Sequence, residues 1–238
     1  NIILSIKPET NEVAMISIPR DLGVNLNNHG WRKINNANAF GELQQPGQGG
    51  EYAKQIFEQT FDIDIPYYIR VDFAAFKELI DIVGGVNINV EKAFIDYEYP
   101  DENYGYQTVI FKAGEEIMNG DRALIYSRSR HGNNGESSDF ARAKRQQQVI
   151  TALKEKLLSS TTYTNPIKLK EIYNSVDDHL ATNLNFGQLM YLASVAKNMD
   201  MSTIKTLVID NGTNGYLDVD TTHGSWLLFP KTGNFNEI

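Results

Sequence analysis

Residues 67–90 read YYIRVDFAAFKELIDIVGGVNINV. Tyr67 to Val71 is an aromatic and β-branched run, which predicts a strand. Asp72 stands where a helix needs its N-cap. Phe73, Phe76, Leu79, Ile80 and Val83 then recur at helical spacing, and Gly84-Gly85 marks the stop. Val86 to Val90 alternates apolar with polar and predicts the next strand. A strand–helix–strand unit of this kind places the chain in the α/β class, with a mixed sheet.

Outward from that unit the signals are shorter. Ile2 to Ile6 and Val13 to Ile18, separated by Lys7-Pro8-Glu9-Thr10-Asn11-Glu12, predict a hairpin. The first of these strands is already under way at Asn1, which predicts a domain excised from a longer chain. Asn38 to Phe61 reads as helix in parts, broken by the Gly/Gln/Pro-rich loop from Gln44 to Gly50. Tyr97 to Tyr106 reads as a polar loop, and Thr108 to Phe111 as a strand. Helices are expected from Ser138 to Leu158, from Asn165-Pro166 to about His179, and from Asn185 to Asn198. Ile204 to Ile209 reads as a late strand. The tail, with Gly212, Gly215 and Gly224, is weakly patterned. No repeat and no long linker is present, so one domain over 1–238 is expected.

The 238 residues carry 30 Asp+Glu against 22 Lys+Arg, 41% hydrophobic residues and no cysteine. A chain of this length and composition can bury a sizeable core, which excludes global disorder. The missing cysteines exclude disulfides, thiolate zinc sites, iron–sulfur clusters and cysteine nucleophiles. A P-loop, a dinucleotide-binding glycine fingerprint and a serine elbow are all absent from the sequence. His29, His131, His179 and His223 lack metal-ligand spacing.

Net charge is −8, yet five of the eight arginines fall between positions 122 and 145. With Lys144 against Glu136 and Asp139, that segment carries +4 and the remainder −12. A strongly acidic remainder argues against nucleic acid as a partner. The local excess of arginine points to an anion site.

Two constellations in the segment carry that reading. Tyr126-Ser127-Arg128-Ser129-Arg130, if extended, sends Arg128 and Arg130 to one face of a strand, where they need an anion between them or stand as solvated ion pairs. Downstream, Asp139, Arg142, Gln146, Ile150, Leu153 and Leu157 form one helical stripe. It is aliphatic at its C-terminal half and charged at its N-terminal half, with Arg145 one flank over. A helix whose inward stripe turns from aliphatic to charged enters a polar cleft, and its N-terminus adds positive potential. Arginine forks suit phosphate. A buried ion pair between Asp139 and one arginine is the alternative. Earlier in the chain, Arg20-Asp21 closes the second strand, where Asp21 can ligate Mg²⁺ and Arg20 hold a phosphate. Arg32 or Lys33 can add charge.

Several segments follow one another in a family order: Ser17-Ile18-Pro19-Arg20-Asp21, Lys33-Ile34-Asn35, Val71-Asp72-Phe73, Val83-Gly84-Gly85-Val86, Asn119-Gly120-Asp121-Arg122-Ala123-Leu124, Tyr126-Ser127-Arg128-Ser129-Arg130-His131, and Asp139-Phe140-Ala141-Arg142-Ala143-Lys144-Arg145-Gln146-Gln147. This resembles the LytR-CpsA-Psr domain of Gram-positive bacteria, closely over residues 1 to 158. The resemblance implies a mixed central sheet packed between helices, with an apolar tunnel for a prenyl tail. It implies an extracytoplasmic, membrane-anchored phosphotransferase whose N-terminal anchor lies outside this chain. Such an enzyme moves a glycopolymer (teichoic acid, capsule or another wall glycan) from a polyprenyl-pyrophosphate carrier to peptidoglycan, with Mg²⁺ assisting, and releases polyprenyl phosphate. By motif, Arg20, Arg128, Arg130, Arg142 and Gln146 bind pyrophosphate, Arg145 joins or supports that cluster, Asp139 orients the arginines and Asp21 holds the metal. Arg128 and Arg130, with Asp21, would carry the catalysis, and Lys33 is an additional candidate. The family's usual aspartate stands just before the first strand, ahead of where this sequence starts, so the metal site is expected to be incomplete here or to draw on residues outside it. The same pocket would serve a polyprenyl-pyrophosphate phosphatase, a wall-polymer-binding module or a transcriptional attenuator.

Overall fold

The structure is a computed structural model. It describes residues 1–10, 12–159, 167, 170, 172–174, 179–197, 204–223 and 226–235. Its contacts divide the chain into two compact units, Asn1–Arg70 with Ala181–Ile238 and, inserted between them in sequence, Val71–Leu180.

Along the first unit run strands β1 (Ile2–Lys7), β2 (Glu12–Ser17), β3 (Gly23–Asn25) and β4 (Trp31–Lys33), then helices α1 (Ala37–Gln44) and α2 (Gly49–Phe61). Strand β5 (Ile69–Val71) leads into the second unit. There follow α3 (Phe73–Ile82), β6 (Val86–Val90), β7 (Phe94–Pro100), β8 (Tyr106–Phe111), β9 (Gly114–Met118), α4 (Gly120–Arg128) and α5 (Asp139–Leu157). Strand β10 (Leu180–Thr182) brings the chain back to α6 (Phe186–Lys197), β11 (Lys205–Val208), β12 (Leu217–Asp220) and β13 (Leu227–Pro230).

In the first unit β1 and β2 form the expected antiparallel hairpin, with Ile2 opposite Ser17 and Lys7 opposite Glu12. The late strand β11 joins β2 in parallel, Lys205 opposite Ala14, so the three-stranded sheet is mixed. Strand β2 sends Val13, Met15 and Ser17 inward by simple alternation. Its core gathers Ile18, Leu22, Val24, Leu26, Ile34, Ile56, Leu217 and Leu228. The weakly patterned tail resolves into the antiparallel pair β12–β13. Asn185 caps α6 as expected: its side chain accepts from the Gln188 amide at 2.9 Å while Gln188 Oε1 accepts from the Asn185 amide, a reciprocal capping box.

The second unit has its own core around Ile80, Val86, Ile88, Phe94, Phe111, Met118, Tyr126 and Val149. Asp72 caps α3 by accepting from the Ala75 amide at 2.9 Å. Gly84 (φ +79°) and Gly85 (φ +84°) stop the helix in backbone that only glycine adopts without strain. The elements of residues 67–90 are therefore as predicted, but their pairing is not that of a parallel crossover. β5 pairs with β10, and β6 pairs antiparallel with β9. Local pattern sets each element; its partner is set by a segment remote in sequence. The expected loop from Tyr97 to Tyr106 is also shorter. β7 runs to Pro100 and pairs with β8, and only residues 101–105 turn, with Asp101 Oδ1 accepting from the amides of Asn103 and Gly105. The helix expected from Asn165-Pro166 to His179 lies mostly outside the described residues. No described helix is long and apolar enough to cross a membrane.

Helices α3 and α4 meet at Gly120, whose amide donates to Asp81 Oδ1 at 2.7 Å. A Cβ there would run into the Lys77 backbone. Gly120→Ala is expected to destabilise the fold by about 1–3 kcal/mol, as overpacking does. Chemical denaturation of the two proteins checks this, and an unchanged midpoint would show that α3 and α4 can part cheaply.

Candidate functional site

The sequence-derived residues fall into two groups, one in each unit. In the first, β2 ends at Ser17 and the chain turns through Pro19-Arg20-Asp21, with the Leu22 amide bonded to the Pro19 carbonyl. Strand β4 pairs Lys33 with Gly23 and delivers its side chain to the same place. Asp21 is 5% exposed. Lys33 Nζ approaches its Oδ1 at 2.6 Å and Arg20 Nε at 3.5 Å. Even so, Asp21 Oδ1 and Arg20 Nε are buried polar atoms without a well-formed hydrogen bond. Arg20, Asp21 and Lys33 are thus brought together as expected. A Mg²⁺ commonly takes one or two carboxylates and completes its shell with phosphate oxygens and water. Asp21 fits that single-carboxylate role, and among the described residues no cluster of three acids or histidines offers a fuller cage.

In the second unit the group sits where α4 ends and α5 begins. Asn119 caps α4 by accepting from the Arg122 amide, and the helix runs to Arg128. The condition that Tyr126 to Arg130 be extended is not met: Arg128 closes a helix, and Ser129 and Arg130 lie in the loop after it. The period-two alternation of five residues was outweighed by the cap nine residues before Arg128. Arg128 stacks on aromatic rings, its guanidinium 4.2 Å from the Phe73 ring centroid and 5.9 Å from that of Tyr99. Burial pushes the Tyr99 phenol up, against the opposing charge of Arg128.

Ser138 caps α5 by accepting from the Ala141 amide at 3.0 Å. The next residue, Asp139, faces two arginines. Arg130 Nη2 lies 3.6 Å from its Oδ1 and Arg142 Nη2 3.2 Å from its Oδ2. Arg130 is 44% exposed in its side chain and Arg142 13%. The structure thus brings Arg130, Asp139 and Arg142 together, one carboxylate between two guanidiniums at a helix N-terminus. Gln146, one turn further, donates from Nε2 to the Ser127 carbonyl at 3.3 Å and so ties α5 to the end of α4.

The inward stripe of α5 differs from the one read in the sequence. Ala141, Arg145, Val149 and Ala152 are buried, and Ile150 is exposed. The buried face is rotated by about one residue from that stripe. Arg145 lies on this buried face, 2% exposed. Its Nε donates to the Tyr126 carbonyl at 3.0 Å and its Nη2 to the Ser129 carbonyl at 2.6 Å, while Nη1 reaches both the Glu136 carbonyl and carboxylate. Burial lowers its pKa and Glu136 opposes this. With four of its five N–H groups taken by protein acceptors and its side chain buried, this guanidinium is placed to support the site from within the fold. Tyr126 beside it is pushed up to about 12 by burial.

Sequence reasoning missed Asp96 altogether. It is 0% exposed, on β7. Its carboxylate accepts from Ser129 Oγ and from the amides of Arg130 (3.1 Å), His131 (3.2 Å) and Glu98 (2.9 Å). Burial disfavours the charge, but these donors outweigh it and hold the pKa below the usual carboxylate value. Its contribution to stability is therefore complete above about pH 4 and is lost as pH falls through the lowered native value. Calorimetry across pH 7 to 2 is expected to show wild type losing its advantage over Asp96→Asn only below about pH 4. A constant gap would contradict the ionised carboxylate.

A sequence model described as the LytR_cpsA_psr family matches residues 1–237. The polyisoprenyl-teichoic acid–peptidoglycan teichoic acid transferase TagU of Oceanobacillus iheyensis is 36% identical over 237 residues, which is 100% of this chain and 67% of that protein. The corresponding TagV of Bacillus subtilis is 30% identical over 225 residues, 93% of this chain and 54% of that protein. This chain thus spans about half to two thirds of the relatives' lengths. The crystal structure of B. subtilis TagV superposes with a TM-score of 0.75 at 26% identity, covering 99% of this chain and 84% of that one. With the family motifs in order, the fold shared and the model matched from end to end, the chain belongs to the LytR_cpsA_psr family.

Proposed function

We propose that this chain is a phosphotransferase that moves a teichoic acid or related wall glycopolymer from a polyprenyl-pyrophosphate carrier to peptidoglycan. The observation that carries the reading is the Arg130–Asp139–Arg142 group at the start of α5, with Arg128 stacked beside the end of α4. Two guanidiniums share one carboxylate there and a third closes α4, which suits a multiply charged anion. The names of the TagU and TagV relatives supply the substrates. In this reading a sugar hydroxyl of peptidoglycan attacks the phosphorus bonded to the glycan. The bond from that phosphorus to the bridging oxygen breaks, and polyprenyl phosphate departs with the electron pair. Phosphoryl transfer is mostly positioning and charge neutralisation, and the arginines provide both. Arg128, Arg130 and Arg142 hold the pyrophosphate oxygens, Asp139 fixes two of the guanidiniums, and Gln146 holds α5 against α4. In the first unit, taken by itself, Arg20 and Lys33 would hold phosphate charge and Asp21 would hold Mg²⁺, which would neutralise phosphate oxygens. The setting in this reading is the outer face of the cell membrane.

The test is to incubate the chain with a polyprenyl-pyrophosphate-linked glycan, peptidoglycan fragments and Mg²⁺. Release of polyprenyl phosphate is expected only when the acceptor is present. Release at the same rate without acceptor would make the chain a phosphatase, and glycan retention without release would make it a binding module.

A further inference from the structure

We propose that Asp96 is a positioning residue for the arginine group, fixing the turn that carries Arg130; the inference rests on the pyrophosphate reading above. Four donors converge on this carboxylate, and three belong to consecutive residues of one turn: the Ser129 hydroxyl and the amides of Arg130 and His131. The fourth, the Glu98 amide, holds Oδ1 from β7 itself and so fixes the direction of the carboxylate. The same turn is gripped through a carbonyl. Arg145 Nη2 takes the Ser129 carbonyl, and its Nε takes the Tyr126 carbonyl at the end of α4. A buried anion thus gathers the N–H groups of residues 130 and 131, while a buried cation gathers the carbonyls of residues 126 and 129. Neither group faces solvent.

The rest of the loop is laid along β7 by backbone. Asp96 and Gly132 form an antiparallel bridge. The Asn133 amide donates to the Ile95 carbonyl at 3.0 Å, and Asn133 Oδ1 accepts from the Ile95 amide at 2.8 Å. These contacts would hold residues 132–133 without Asp96. What Asp96 adds is the orientation of residues 129–131, the segment from which the Arg130 side chain departs toward Asp139. An arginine on a loose turn loses rotamer entropy, and further backbone entropy, each time it closes on an anion. A turn fixed beforehand avoids the backbone part, which is how supporting residues raise affinity without touching ligand. Burying a carboxylate is costly unless it is hydrogen-bonded, and here four donors offset that cost, three of them from the segment that carries Arg130.

Calorimetric titration of the whole chain with inorganic pyrophosphate tests this, at a temperature where near-UV circular dichroism shows each variant folded. Asp96→Asn keeps the shape but turns an NH₂ group toward the donors. It is expected to weaken pyrophosphate binding about tenfold and to speed hydrogen exchange at the Arg130 and His131 amides, leaving the α3 amides unchanged. Ser129→Ala removes one donor only and should weaken binding about threefold, which decides the matter if Asp96→Asn does not fold. Wild-type affinity in either folded variant, in a background where Arg130→Ala abolishes binding, would overturn the positioning role and leave the arginine site standing. If Arg130→Ala itself binds as wild type, the pyrophosphate reading falls and the positioning role with it.

Discussion

Replacing Arg145 with alanine is expected to lower the thermal midpoint by roughly 6–20 °C. The guanidinium is buried and bonded to the carbonyls of Tyr126, Ser129 and Glu136 and to the Glu136 carboxylate. Its plane also lies 4.9 Å from the Phe94 ring centroid, so truncation opens a cavity in the second unit's core as well. Removing one member of a buried pair costs about 3–5 kcal/mol, because the other charge is left without its partner. For a chain of this size each kcal/mol is worth about 2–4 °C. Arg145→Lys should recover little of the loss, since one ammonium cannot replace a planar fork that meets four acceptors. Differential scanning calorimetry of the three proteins measures this. A lysine variant as stable as wild type would show that the fork geometry is unimportant.

The second large effect is on turnover. Arg142→Ala and Arg130→Ala each remove one of the two guanidiniums that flank Asp139. Each should reduce polyprenyl phosphate release by about 10²-fold or more, in the range seen when a preorganised donor to transition-state charge is lost. Arg130 is largely exposed, so its variant should keep the wild-type melting temperature. Arg142 is more buried and should lose some stability too. Release measured under single-turnover conditions separates the chemical step from product departure. Unchanged release in both variants would remove these arginines from the site.

Much of this was legible because caps and stops are local. Asp72 with Gly84-Gly85, Ser138, and Asn185 with Gln188 each announce a helix end through a side chain or a permissive backbone within four residues. The arginine excess between 122 and 145 was plain in the sequence, and the structure brings two of those arginines to one carboxylate. Three things were not legible. The α4 helix was masked at its end by an alternation of serines and arginines that imitates a strand. The face of α5 was misjudged because its buried positions include two alanines and an arginine, whereas hydrophobicity favours the stripe through Ile150 and Leu153. Asp96 gave no signal at all, since three of its four partners are backbone amides, which every sequence supplies equally. Strand partners were hidden for a related reason: β6 chooses β9, and β2 chooses β11, across long separations.

The central claim is group transfer to a sugar hydroxyl at a pyrophosphate. The most direct measurement runs the reaction in ¹⁸O-labelled water and weighs the phosphorus-containing products by mass spectrometry. Transfer predicts polyprenyl phosphate and a peptidoglycan-linked phosphodiester, neither carrying the label. A labelled phosphate monoester on the glycan, formed with or without acceptor, would show that water is the nucleophile and contradict the account.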